Sequence, residues 1–342
     1  MSWLRPWAGF LVLLLACGPG PQAELETRHE YTRLLLGTTF TLVLDHGDEA
    51  HADAVAEAAF ARVEQLDLVL SDYKPESEVR RLGQTQWVAV PVSDELRRVL
   101  FAAEDLSRAS DGAFDVTVGP YSALWRRARR QGEPPAPSEL AAVAPSVGHA
   151  LVTLVDPTRA DAAPATVTLE AEDMALDLGG IAKGFILDEV LAVCVQAGIE
   201  RALVDAGGDV ALGLPPTGRD SWRVGVEGRD APILALHSRA VATSGDAYQH
   251  LEHEGLRLSH IIDPRTGWAL TGRAGATVVA PTAMLADGLA SALCVLEPEA
   301  GLALVDDSPG TEARITREVD GELVVWTTDG FDILLVEPGS PD

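Results

Sequence analysis

Basic residues are scarce. The 342-residue chain has 26 Lys and Arg against 52 Asp and Glu, a formal net charge of −26, and its sequence pI is about 4.5. Such a surface repels nucleic acid, whose phosphates require clustered cations. It makes a soluble, self-repelling particle, and a phosphate ligand on it calls for a divalent cation. Cysteine is scarcer still. The three are Cys17, Cys194 and Cys294, and no zinc spacing exists. Cys194 in "VLAVCVQAG" and Cys294 in "SALCVLE" lie in apolar helical runs and read as buried free thiols. A bridge between them stays open, because spacing does not show proximity. There is no internal repeat. Past residue 17, no segment is long and apolar enough to span a membrane.

What is present begins with "MSWLRPWAGFLVLLLACGPGPQAE". One early cation, Arg5, precedes a short apolar run that ends at Cys17, which reads as a signal peptide. Leu14, Leu15, Ala16 and Cys17 resemble a bacterial lipobox, in which the cysteine becomes the lipidated first residue; ordinary secretion is the alternative. The expected organisation is a signal peptide over 1–17, a tether over 18–30 and one domain over 31–337.

Within that domain, "TRLLLGTTFTLVLD" reads as a strand, and Val55, Ala59, Val63, Leu66 and Leu70 mark a helix. Ser93 caps another helix, closed near Gly112. Residues 126–150 turn from basic to Pro- and Ala-rich and read as a variable surface excursion. Short strands are expected near 151–155, 166–170 and 174–177. "GIAKGFILDEVLAVCVQAG" reads as a helix, "RALVDAGGDVALGL" as strand, turn and strand, and "TAMLADGLASALCVLEPEAGLALVDD" as two helices. Asp320-Gly321 is the turn of a hairpin. Helices and strands come in mixed order with hairpins, so the expected class is α+β, not doubly wound.

The chemistry centres on "DLGGIAKGF", residues 177–185. It lacks the lysine of a phosphate-cradling Walker loop, since Phe185 stands there, and it lacks G-x-G-x-x-G. What remains is a glycine turn feeding a helix start, where N–H groups and the helix dipole favour an anion, with Lys183 as an added charge. A tight turn with a surface lysine would look the same. Four further stretches weigh toward a site. They are "DAGGD" at 205–209, "VATSGD" at 241–246, "SHIIDPRTGW" at 259–268 and "PTAMLADGLASALC" at 281–294. In the last, Asp287 and Ser291 are spaced i, i+4 and share a helix face. A carboxylate and a hydroxyl so placed suit a hard cation such as Mg²⁺. The flanking Leu285, Leu289 and Leu293 argue that this helix is packed. His260 is a candidate general base, because its ordinary pKa lies near working pH, and Asp263 is its rival. The remaining histidines, including His250 and His253, read as surface.

These stretches, with "SDYKPESEVRRL" and "GAFDVTVGP" upstream, resemble the FAD:protein FMN transferases, the ApbE family, from about residue 31 to about 335. The resemblance implies a T-fold-like α+β architecture with an FAD cleft. It implies Mg²⁺-dependent transfer of FMN from FAD to a Thr or Ser hydroxyl of an acceptor protein, with release of AMP. It also implies an exported, lipid-anchored chain on the periplasmic side of a membrane. The acceptor would be a flavoprotein subunit of a membrane redox complex. On the matching positions, Tyr73 would pack on the flavin and Leu36 would line the site where the family often has Met. Ala113, Phe114 and Asp115 would contact adenosine. Asp177, Lys183 and the Ile261 backbone would contact FAD. The Gly180 carbonyl, Asp287 and Ser291 would hold the metal, with Ser291 standing where the family usually has Thr. An FAD pyrophosphatase that uses water, or a flavin-binding lipoprotein without catalysis, would need much of the same site. AMP release with and without an acceptor separates the three.

Overall fold

The computed structural model describes residues 28–156, 164–226, 232–246 and 250–336. Its frame is an eight-stranded antiparallel sheet whose strands lie side by side in chain order: Arg28–Leu35, Thr38–Asp45, Ala202–Ala206, Asp209–Leu212, Ala240–Gly245, Ala274–Ala280, Glu312–Val319 and Glu322–Thr327. The period-2 alternation of side chains divides these strands between two cores. Phe40, Leu42 and Leu44 face one, as do Ala240, Ala242, Val278 and Ala280. Val210, Leu212, Val241 and Val279 face the other, under a small sheet that carries Trp222, Val224, Leu234 and Leu236. Asp209–Leu212 is buried at every position, as expected for a central strand covered on both faces.

Eight α-helices occur among the described residues: α1 Glu49–Leu70, α2 Glu78–Leu82, α3 Asp94–Ala109, α4 Gly119–Gln131, α5 Pro137–Val143, α6 Ala182–Gln196, α7 Ala283–Val295 and α8 Pro298–Asp306. The α+β class is as expected. The last hairpin turns on Asp320 and Gly321, with φ of 52° and 82°, as a two-residue hairpin turn requires.

Helix α7 is buried along most of its length because Ala283, Ala286, Gly288, Ala290 and Ala292 let neighbours approach closely. Opposite charges hold its ends. At its start, Ala283 N and Met284 N donate to Asp188 of α6, at 2.7 and 2.9 Å. At its end, Arg317 donates to the carbonyls of Leu293, Cys294 and Leu296. Both charges match the helix dipole. Burial nevertheless pushes the Asp188 pKa up to about 6.

Four expectations are corrected. "TRLLLGTTFTLVLD" is not one strand: Leu36 and Gly37, at positive φ, turn it into the hairpin of Arg28–Leu35 and Thr38–Asp45. The stretch 126–150, read as a variable surface excursion, is in part regular: the end of α4 and all of α5 lie in it. Tyr121, Ser122, Trp125 and Ala128 form the buried face of α4, and Trp125 Nε1 donates to the Gly267 carbonyl at 2.8 Å. A high Pro and Ala content hid this: Pro137 opens α5, where its missing N–H costs nothing. Residues 174–177 pair with no strand; Asp177 N donates instead to Val116 O at 2.8 Å. His250 is half-buried, 3.0 Å from Arg257 Nη1, and not a surface histidine. Cys194 and Cys294 are buried and free. Burial pushes both thiols up to about 12, which makes them inert at neutral pH. Cys17, the signal peptide and most of the tether lie outside the described residues.

Candidate active site

The glycine stretch crosses from the unpaired segment at Asp177 into α6. Asp177 Oδ1 accepts from Gly179 N at 3.0 Å, which shapes the turn. Among the described α-helices, α6 alone opens with neither a side-chain cap nor a proline. That start takes its cap from outside: Gly184 N donates to Asp287 Oδ2 of α7 at 2.9 Å and Ala182 N to the Leu178 carbonyl at 2.8 Å, and the helix dipole still favours an anion nearby.

At the second position of α6, Lys183 points back at the sheet. Its Nζ lies 2.6 Å from Asp209 Oδ2, and Asp209 Oδ1 accepts from Thr243 N at 2.9 Å. The turn glycines Gly207 and Gly208, at φ of 64° and 97°, let the chain reverse so that Asp209 heads the central strand. Burial alone would lower the Lys183 pKa, but Asp209 and Asp287 outweigh it and the net shift is upward. Lys183 therefore stays charged. Asp205 lies close by, its own pKa raised, chiefly by burial.

Asp287 completes the cluster. It is buried, and its Oδ2 accepts from Gly184 N at 2.9 Å. Burial, then the like charge of Asp209, raise its pKa to about 7, against the pull of Lys183. Ser291 follows on the same face of α7, its Oγ 3.3 Å from Ser244 Oγ. Gly180 faces Ser291 closely: a Cβ at 180 would fall 2.9 Å from Ser291 Oγ and 3.2 Å from the Phe114 ring. The structure thus brings Gly180, Lys183, Asp287, Ser291 and Phe114 together. Their oxygens form a hard donor set of carboxylate, hydroxyl and backbone carbonyl, which suits a cation that keeps open positions for phosphate oxygens. Among the described residues no group of three or more His, Cys, Asp or Glu is placed to hold a metal by itself, so a cation here must draw on the hydroxyl and carbonyl too.

Around this centre, Tyr73 is 73% exposed, with the Arg126 guanidinium 4.4 Å from its ring centroid. Leu36 and Gly37 make the turn of the first hairpin at φ of 52° and 74°, and Leu36 is exposed. Ala113 is buried against Val295 and Leu296. Asp115 directs its carboxylate to Thr117 N, Thr117 Oγ1 and His149 N, at 2.8, 2.7 and 2.7 Å, so it organises its own loop. Ile261 N donates to Ser259 Oγ at 3.0 Å. His260 is half-buried on the strand Leu256–Ile262. Asp263 accepts from Arg265 N, Nε and Nη2, at 3.0, 2.9 and 2.9 Å. That engagement makes Asp263 part of the turn.

Sequence reading missed four contributors: Asp209 as the counter-ion of Lys183, Ser244 beside Ser291, Asp188 at the start of α7, and Arg126. "DAGGD" and "VATSGD" pointed to the first two. An acid within the apolar run "GFILDEV" was the available signal for Asp188.

An antiparallel α+β fold that brings a lysine, a helix start and hard oxygen donors together defines a protein with the chemistry to handle phosphate. The ApbE family model matches residues 36–315. An FAD:protein FMN transferase of Treponema pallidum is 33% identical over 328 residues, covering 89% of each chain. One from Haemophilus influenzae is 32% identical over 286 residues, covering 79% of this chain and 81% of its own. Among solved structures, the apo flavinyl transferase ApbE of Pseudomonas stutzeri superposes with a TM-score of 0.79 at 29% identity, covering 91% of this chain and 98% of that one. The flavin transferase ApbE of Vibrio cholerae gives 0.79 at 28%, covering 91% and 100%. The chain belongs to the ApbE family.

Proposed function

We propose that the chain transfers the FMN half of FAD to a Thr or Ser hydroxyl of an acceptor protein and releases AMP. The observation that carries this reading is the convergence of the α6 start, Lys183 and the Asp287–Ser291 pair at one place. It offers positive charge and cation-binding oxygens to the same pyrophosphate.

The donor set fits Mg²⁺, which Asp287, Ser291 Oγ and the Gly180 carbonyl would hold. When bound, Mg²⁺ would neutralise charge on the pyrophosphate oxygens. The rest of the work falls to the chain. Lys183, oriented by Asp209, presents its ammonium to the phosphates, and the positive end of the α6 dipole adds to it. Tyr73 offers a flat apolar surface to the isoalloxazine ring. His260 takes the proton of the acceptor hydroxyl. The freed oxygen attacks the phosphorus on the flavin side, the P–O bond to the AMP phosphate breaks, and AMP leaves.

In-gel flavin fluorescence tests this. An acceptor domain incubated with the chain, FAD and Mg²⁺ should give a fluorescent band under denaturing conditions, lost when the metal is chelated. An acceptor that stays dark with active, FAD-bound enzyme would sink the reading. A pH dependence follows from Asp287. With its pKa near 7, a proton competes with the cation. Half-saturating Mg²⁺ should rise about tenfold per pH unit below 7 and level off above it. A flat titration between pH 6 and pH 8 would exclude Asp287 as a ligand.

The proposal extends to place. Export, lipidation at Cys17 and an acceptor in a membrane redox complex fit the lipobox-like residues 14–17. In cell fractionation, Cys17→Ala should move the chain from the membrane to the soluble fraction; retention in the membrane would count against the anchor.

A further inference from the structure

Arg126 ties together three segments that are distant in sequence. From α4, its Nη1 lies 2.5 Å from Asp72 Oδ2 and its Nη2 donates to Asp177 Oδ2 at 2.9 Å. Its guanidinium covers one face of the Tyr73 ring at 4.4 Å. Asp72 and Tyr73 follow the end of α1, and Asp177 opens the glycine stretch that leads to the α6 start. The guanidinium is half-buried and Tyr73 is mostly exposed, so one ring face is held and the other is open. We propose that Arg126 is a positioning residue for FAD: it fixes the flavin-stacking wall at Tyr73 relative to the phosphate-binding start of α6. This rests on the functional reading above.

A flat ligand that stacks on an aromatic ring binds better when the ring is already held, because less side-chain freedom is lost on binding. A guanidinium does this with its planar face while its edges pair with carboxylates. Charge acts in the same direction. Asp72 and Asp177 repel each other, and burial with that repulsion raises the Asp72 pKa while Arg126 lowers it. The other charge facing the group is Arg129, three residues further along α4. Burial and the like charge of Arg126 lower its pKa, and its Nη1 is buried without a hydrogen-bond partner. Removing Arg126 leaves two carboxylates against one arginine that holds neither. The Tyr73 segment and the glycine stretch then repel each other across the ligand site.

Repulsion, unlike simple loss of packing, is reversible by a second substitution. The test is a double-mutant cycle of R126M and D72N. FAD affinity is read from the change in flavin fluorescence on binding, and KM and kcat from AMP release. Arg126→Met should raise the FAD dissociation constant and KM about tenfold or more, with kcat within about twofold at saturating FAD. Adding Asp72→Asn should recover most of that loss. An FAD affinity of R126M within twofold of wild type overturns the inference, and so does a double variant no better than R126M. A kcat loss with KM unchanged overturns it too. Wild-type chain that binds no FAD at all would instead overturn the functional reading, and this inference with it.

Discussion

Asp287→Ala lowers AMP release by at least about a thousandfold at saturating FAD and Mg²⁺. A metal ion contributes several kcal/mol of transition-state charge stabilisation, and each 1.36 kcal/mol is a factor of ten. A second substitution, Asp287→Asn, separates the site from the scaffold. Asp287 is buried and its pKa stands near 7, above its ordinary 3.8. The sign follows: a carboxylate whose pKa is raised by folding costs nothing while both states are protonated. The apo protein therefore loses stability as pH rises from about 4 to 7. Asp287→Asn keeps an oxygen for the Gly184 N–H and removes the charge. Its melting temperature at pH 8, without metal, should stand above that of wild type, although the variant is inactive. A variant that is both inactive and less stable at pH 8 would mean that the carboxylate serves the fold. Such a trade of stability for activity is what an active-site charge imposes.

Gly184→Ala has the largest expected effect on stability. A Cβ there would sit 2.1 Å from the Ala283 carbonyl oxygen, 2.5 Å from its carbon and 2.8 Å from Asp287 Cβ. Two of these atoms are backbone, so α6 and α7 must separate. Overpacking of this kind costs about 1–3 kcal/mol or more, and a drop in melting temperature of about 4 °C or more is expected. Activity should fall with it, because Gly184 N donates to Asp287 Oδ2 and the two helices carry opposite walls of the site. Thermal unfolding and AMP release on one preparation check both effects. Unchanged melting would show that the helices tolerate separation.

Much of this was legible in the sequence because it is local. The i, i+4 spacing put Asp287 and Ser291 on one face of α7, and the leucines around them announced a packed helix. The helix start at "GIAKG" and the Asp320-Gly321 hairpin are set by short-range backbone preferences. What was not legible depends on pairings between distant segments. Asp209 becomes the partner of Lys183 only because the sheet places its strand beside α6. Asp188 looked like one more polar residue of α6, and its role exists only against the start of α7. Arg126 was hidden twice: its helix looked like a surface insertion, and its partners lie about fifty residues away in each direction. The position of Asp115 in its motif implied a ligand contact. The structure adds a role that the motif did not show: its oxygens also accept from Thr117 and from His149 N.

The central claim is that the bond broken in FAD is resolved by a protein hydroxyl and not by water. The most direct measurement is the ratio of AMP released to flavin bound covalently to the acceptor, with and without that acceptor. One AMP per flavin on the acceptor is expected, and little AMP when the acceptor is absent. AMP released at the same rate without acceptor, with no flavin on protein, would contradict it and make the chain an FAD pyrophosphatase.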